Sequence, residues 1–370
     1  MITKTDNEIL DEINIHKGWT KSTYELNKIV LKSYTNFHGI SFYELIAEAE
    51  QEEETIQRLK KRSIKQRLTQ YQLYLIKQNK QQATVNQYTT TIKQLYYYFD
   101  IEVPKIQRLN VKNKESYNDL ITHEEITNAI NNTKTRNKAI ISLLASTGIR
   151  KSDLHKLTIH DFYDATKEYH NATNVNELIE QLKYKKQVVP TWKIIAQKNG
   201  INYITFSTPE SVNFIVQYLY ERLMKQDLHL DDPLFKISIQ GITKMFELLN
   251  DKLGYGWKGT RRRFHAHSLR KFFGTTLSND DVDFLSCEFM LGHTLSSVQS
   301  SYYFGNPEKL KNKYIRHMDK LTFVNTVNII DVTSKEKREL TLLRENNKHY
   351  EEKIRNLEEM VNLIQSGLSL

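Results

Sequence analysis

Residues 146–154 read Ser-Thr-Gly-Ile-Arg-Lys-Ser-Asp-Leu. An apolar helical pattern runs into Gly148, which ends it. Arg150 follows at once, and Asp153 sits three residues later, placed to hold that arginine. Alone, an arginine just past a helix stop is usually a cation answering the helix dipole. The stretch gains meaning from four others further along: Lys198, His267-Ser268-Leu269-Arg270, Leu291-Gly292-His293, and Tyr302, nine residues beyond that histidine. In His267-x-x-Arg270 the spacing of three puts imidazole and guanidinium on one helical face. Each signal is weak alone. Their order and spacing carry the argument.

Upstream, residues 1–108 read as almost wholly helical. One helix runs from Thr20 to a stop at His38–Gly39, and a second opens on the capping box Ser41/Glu44. A longer one is expected from Ile56 to Gln78. The last places Val85, Tyr88, Ile92, Leu95 and Phe99 on one face. Polar-side cations, Lys60, Lys61 and Arg62 among them, offer a DNA-gripping surface or a merely solvated face. Residues 109–118 lose periodicity and read as a linker. The next helix opens at Thr122 with Glu125 completing a capping box and Ile121 with Ile126 as a hydrophobic staple.

Downstream, VVPTWKIIAQ and INYITFS are rich in β-branched and aromatic residues and are joined across Asn199–Gly200, a strong hairpin signal that places Lys198 at the tip. Helical patterning resumes from Pro209 to Leu253. A glycine-rich basic loop, GYGWKGTRRRF, follows and contains Arg261, Arg262 and Arg263, a cationic run that would touch a polyanionic backbone such as DNA or else form a flexible solvated loop. Residues 334–370 carry a heptad seam with Leu340, Asn347, Ile354 and Val361 at a, and Leu343, Tyr350, Leu357 and Ile364 at d. β-Branched residues at a with leucine at d favour a two-stranded coiled coil, and a buried asparagine at a fixes its register.

Composition sets bounds. With 370 residues, two or more domains are expected. The net charge of +9 and a pI near 9.2 suit a polyanionic partner, although a soluble basic protein would show the same numbers. A single cysteine, Cys287, excludes a disulfide framework and a cysteine-rich zinc site. No apolar run reaches membrane-spanning length, and MITKTDNEIL lacks the layout of a signal peptide. A cytoplasmic protein is the expectation. No P-loop, no HExxH and no carboxylate cluster for two-metal chemistry is present. His265 and His267 are close in sequence but lack further ligands for zinc.

The series TGIR-x-x-D, hairpin Lys, HSLR, LGH and Tyr at plus nine resembles the tyrosine recombinase (phage integrase) family, and in its details the integrases of archaeal viruses and proviruses. The resemblance implies a multidomain, mostly α protein. Its parts are a helical core-binding domain (1–108), a linker (109–118), an α+β catalytic domain with a small β-hairpin (119–333) and the carboxy-terminal coiled coil (334–370). It makes Arg150 and Arg270 the holders of a scissile phosphate, with His293 adding a hydrogen bond and Asp153 orienting Arg150. Tyr302 would be the nucleophile, His267 would move its proton and Lys198 would protonate the leaving oxygen. No metal or other cofactor is implied. The partners implied are double-stranded DNA and further copies of the chain, as a dimer or tetramer on DNA. Tyr303 and Tyr314 are rival nucleophiles. A type IB topoisomerase or transposase with the same chemistry, or an inactive DNA-binding descendant, are the alternatives.

Overall fold

The computed structural model describes residues 4–56, 58–111, 119–198, 200–295 and 306–324. They fall into two compact units divided between Lys114 and Glu115. Tyr302, Tyr303, Asn199 and the heptad seam lie outside the described residues.

The first unit is helical: α1 (Asp6–Lys17), α2 (Lys21–His38), α3 (Phe42–Thr55), α4 (Ser63–Lys77) and α5 (Gln82–Tyr98). Thr20 caps α2, and Gly39 ends it at φ +71°, a left-handed stop that only glycine adopts without strain. Ser41 and Glu44 make the reciprocal capping box of α3. The helices close over a core that includes Leu31, Tyr34, Leu68, Tyr71, Ile92 and Tyr96.

The expected helix from Ile56 to Gln78 begins only at Ser63, after a 3-10 turn over Leu59–Lys61. The cause is tertiary. Glu52, near the end of α3, accepts from the Ser63 N–H at 2.7 Å and so caps α4 from eleven residues away. Arg62 turns inward, donating to Glu53 at 2.6 Å and to the Ile56 carbonyl at 3.1 Å. Arg62 is therefore buried, whereas Lys60 and Lys61 are exposed. Leu109, at the start of the expected linker, is tied to Asn86 by two hydrogen bonds of 2.8 and 2.9 Å.

The second unit is built around α7 (Thr135–Thr147), whose residues 139–147 are all buried. It packs against α6 (His123–Asn131), α11 (Pro209–Leu223) and α13 (Ala266–Asn279). Short helices α8 (Lys151–Lys156), α9 (Ile159–Ala165) and α10 (Val175–Lys183) follow α7. The hairpin β1 (Thr191–Ile195) with β2 (Asn202–Phe206) forms as read, but the turn differs. Ala196 N–H bonds the Ile201 carbonyl at 2.9 Å, so four positions rather than two join the strands, with Gly200 at φ +67°.

Two further differences stand out. The patterned stretch from Pro209 to Leu253 divides into α11 and α12 (Ile239–Leu253), because Arg222 ends the first helix by binding the carbonyls of Pro233 and Leu234. The basic loop is a second hairpin, β3 (Trp257–Lys258) with β4 (Arg261–Arg262), and Gly259 at φ +57° takes its first turn position. Helices α14 (Phe284–Met290) and α15 (Pro307–His317) follow among the described residues. No helix among the described residues is long and apolar enough to cross a membrane.

Candidate active site

Gly148 ends α7 at φ +66°, and Arg150 becomes the N-cap of α8. A side chain at 148 has no room: a Cβ there would lie 2.5 Å from Phe273 and 2.8 Å from Leu291. The stop therefore fixes where Arg150 leaves the backbone. Its Nη2 donates to the Gly292 carbonyl at 2.9 Å, and its Nη1 lies 3.7 Å from Asp153 Oδ2. Nη1 is buried and has no hydrogen-bond acceptor among the described residues. A buried donor left so is costly, and such atoms recur where a ligand completes the site.

Asp153 does more than hold the arginine. Its fully buried carboxylate accepts from the Gln197 N–H at 3.0 Å and from the Tyr203 hydroxyl at 3.2 Å. The first bond ties the tip of the β1–β2 hairpin, and with it Lys198, to the arginine's own helix. Burial pushes the Tyr203 hydroxyl far above its ordinary range, so it stays a neutral donor.

Arg270 comes from α13. It is buried, donating from Nη1 to the Gly148 carbonyl at 2.7 Å and from Nη2 to the Leu291 carbonyl at 2.6 Å. Burial, then the like charge of Arg150, depresses its pKa to about 10. His267, three residues earlier, is lowered by desolvation first and then by Lys271, His265, Arg270 and Arg261. Its imidazole is thus biased toward the neutral form that can accept a proton. His265 caps the same helix, with Nδ1 2.9 Å from the Arg263 carbonyl.

His293 follows Gly292, whose φ of +63° and contact with the Tyr203 ring again exclude a side chain. Its Nδ1 is 2.8 Å from Glu288 Oε2. With that nitrogen engaged, Nε2 is the one left for a substrate oxygen.

Arg150, Lys198, His267, Arg270 and His293 line one cavity of about 670 Å³ within the second unit. Two guanidiniums, two imidazoles and an ammonium around one space suit an oxyanion: the guanidiniums neutralise charge that gathers on phosphoryl oxygens, and the imidazoles and the amine exchange protons with bridging ones. Three contributors had no visible signal in the chain. Glu288, Tyr203 and the Gln197 N–H act only because the fold brings them beside His293 and Asp153.

The three basic residues of β4 and its exit separate. Arg261 and Arg262 both line the cavity. Arg262 is bidentate to Asp251 at 2.7 and 2.8 Å and covers the Trp257 ring at 4.5 Å. Arg263 binds Glu125 at 3.0 Å and the Leu120 carbonyl at 3.1 Å, so Glu125 both caps α6 and anchors the hairpin. Tyr314 is wholly buried and donates to the Ser146 carbonyl at 2.9 Å. It is a strut under the Arg150 turn.

This set joins a half-buried Arg150 and a buried Arg270 with His267 and a Gly-His corner, an arrangement suited to an oxyanion. The chain belongs to the phage integrase family, whose model matches residues 119–308. It is 24% identical over 182 residues to the tyrosine recombinase XerC of Listeria monocytogenes serotype 4b (strain F2365), covering 49% of this chain and 54% of that protein. The match to XerC of Staphylococcus haemolyticus (strain JCSC1435) is 26% over 261 residues, 66% of this chain and 78% of that protein. The archaeal XerA of Saccharolobus solfataricus (strain ATCC 35092 / DSM 1617 / JCM 11322 / P2) is 21% identical over 246 residues, 65% of this chain and 70% of that protein. For the first two XerC relatives the chain spans about half of their length, 54% in each case. The fold is shared with a lambda integrase fragment solved as a dimer bound to a COC′ core site. The TM-score is 0.50 at 13% identity, over 80% of this chain and 94% of that one.

Proposed function

We propose that the protein is a site-specific DNA recombinase that cleaves and rejoins strands through a 3′-phosphotyrosine. The observation carrying this reading is the convergence of Arg150, Lys198, His267, Arg270 and His293 on one cavity, with an unsatisfied buried N–H on Arg150. The matched relatives, named as tyrosine recombinases, support it.

Arg150 and Arg270 hold the non-bridging oxygens of the scissile phosphate, and His293 donates from Nε2 to the same group. Tyr302 gives its proton to His267 as its oxygen attacks phosphorus. The bond to the 5′ oxygen breaks, and Lys198 supplies that oxygen's proton. One phosphoester replaces another, so the bond energy is kept for rejoining and the scheme calls for neither ATP nor a metal. The first unit grips the duplex with Lys60 and Lys61 on its exposed side, and Arg261 meets the backbone beside the cavity. Residues 119–333 form the catalytic domain. Residues 334–370 pair protomers as a coiled coil, as a dimer or tetramer on DNA, and the protein works in the cytoplasm.

The test is covalent trapping on nicked suicide duplexes built from the DNA that flanks the gene. The wild type and Tyr303→Phe are expected to form a protein–DNA adduct, and Tyr302→Phe none. An adduct with Tyr302→Phe overturns the assignment of the nucleophile, and the absence of any adduct or nick overturns the recombinase reading.

A further inference from the structure

The cavity is larger than its anion needs. Its volume of about 670 Å³ lies within the range of pockets that enclose whole small molecules, roughly 300–1,000 Å³. Besides arginines and histidines, the cavity is lined by Thr243, Phe246, Glu247, Trp257 and Thr260. The stretch around Trp257 is unsuited to a second phosphate, because the Glu247 carboxylate stands 3.6 Å from the Arg262 that covers the indole. It is suited to a flat, uncharged ring.

Trp257 is 56% exposed and lines the cavity. It is also held in place. Strand β3 fixes its backbone opposite Arg262, and the Arg262 guanidinium lies over the indole at 4.5 Å. Arg262 cannot wander, since Asp251 grips it twice and Glu247 lies 3.6 Å away. A braced, exposed aromatic beside a phosphate pocket has the parts of a stacking platform: a π-face for a base, with cations for the backbone.

From this geometry we infer that Trp257 receives the base of an unpaired nucleotide next to the scissile phosphate. In an intact duplex both faces of each base are already stacked. The platform therefore serves a nucleotide that has left the helix beside a nick, and holds the freed strand near the site where it is rejoined. The inference rests on the recombinase reading for its biological sense, but the binding it asserts is separable.

The experiment uses the full chain and two single-stranded decamers of equal charge: dT10, and an abasic decamer with the same phosphates and no bases. The emission of Trp257 is isolated by subtracting that of Trp257→Phe, because Trp19 and Trp192 also emit. Quenching of the difference emission by dT10 and not by the abasic strand is expected. Trp257→Ala should weaken dT10 binding on the order of 10-fold while leaving the abasic strand unaffected, whereas Trp257→Phe keeps most of the affinity. Should Trp257→Ala fail to fold, the difference emission still decides. Equal responses to the two strands, or none to either, overturn the platform. If Tyr302 adducts are trapped but the response does not depend on bases, the platform alone fails. If the response depends on bases but no adduct forms, the recombinase reading alone fails.

Discussion

Arg150 and Arg270, 120 positions apart in the chain, donate to consecutive carbonyls: Arg150 Nη2 to Gly292 and Arg270 Nη2 to Leu291. One short turn before His293 thus sets the distance and tilt of both guanidiniums. Two cations that repel one another are held side by side by backbone dipoles, and an anion between them relieves the repulsion.

Inorganic phosphate or vanadate should therefore stabilise the protein. Binding to the native state alone raises stability by roughly 2.7 kcal/mol at a hundredfold excess over Kd. A thermal melt of the wild type is expected to shift upward with either anion. Arg150→Ala and Arg270→Ala should lose most of the shift, and each should lower strand cleavage by roughly 100- to 1,000-fold.

Asp153 can be dissected with two variants. Asp153→Asn keeps an oxygen for the Gln197 N–H or the Tyr203 hydroxyl but removes the charge that faces Arg150. Cleavage should fall while the fold survives. Asp153→Ala also leaves the Gln197 N–H and the buried Tyr203 hydroxyl without their acceptor, and should cost about 1–3 kcal/mol in urea unfolding.

Gly292→Ala tests the turn itself. The new Cβ would meet Tyr203 at 2.5 Å, at a φ of +63° that alanine disfavours. A loss of about 2–4 kcal/mol in urea unfolding is expected, from overpacking and backbone strain together. Trapped adduct should disappear with it, since His293 and the Arg150 acceptor move together.

Glu210 gives a pH signature. This carboxyl at the start of α11 is buried, accepts from the N–H groups of Phe323 and Val324, and is pushed up to about 7 by burial. An acid with a raised native pKa binds more protons folded than unfolded between its ordinary value and 7. Its contribution to stability is then complete below about 4.5 and is lost as pH rises through 7. Urea midpoints should show this decline in the wild type, and Glu210→Gln should flatten it across that window.

Salt dependence separates cations that face outward from those that do not. Arg261→Ala is expected to reduce the slope of log affinity for DNA against log salt by roughly 0.9, the share of one phosphate contact. Arg62→Ala should leave the slope unchanged and lower stability instead, because its charge is spent on Glu53.

What could be read from the chain was local. The capping boxes at Ser41 and Thr122 and the left-handed stops at Gly39 and Gly148 are contained within a few residues, and each sits where the pattern put it. The hairpin strands were legible, but their turn was not, because β-register depends on which face meets the core: Tyr203 must point at Asp153. Two-residue strands such as Trp257–Lys258 are too short to show any alternation. Arg62 looked like a surface cation because its partner, Glu53, lies on a neighbouring helix. Arg150, Lys198, His267, Arg270 and His293, which line one cavity, stand in the chain as a spaced series, whereas Glu288 and Tyr203 carry no such signal because only the fold makes them neighbours of it.

Arg150 Nη1 is buried and finds no acceptor among the described residues. A chain that could fold to full internal satisfaction would have little reason to welcome an outsider. Of the buried polar atoms left unpaired among the described residues, this nitrogen belongs to a side chain that lines the cavity. On the proposed function, the visiting oxyanion supplies that missing piece of architecture, and recognition becomes the last step of folding, carried out by a group the polypeptide does not itself contain.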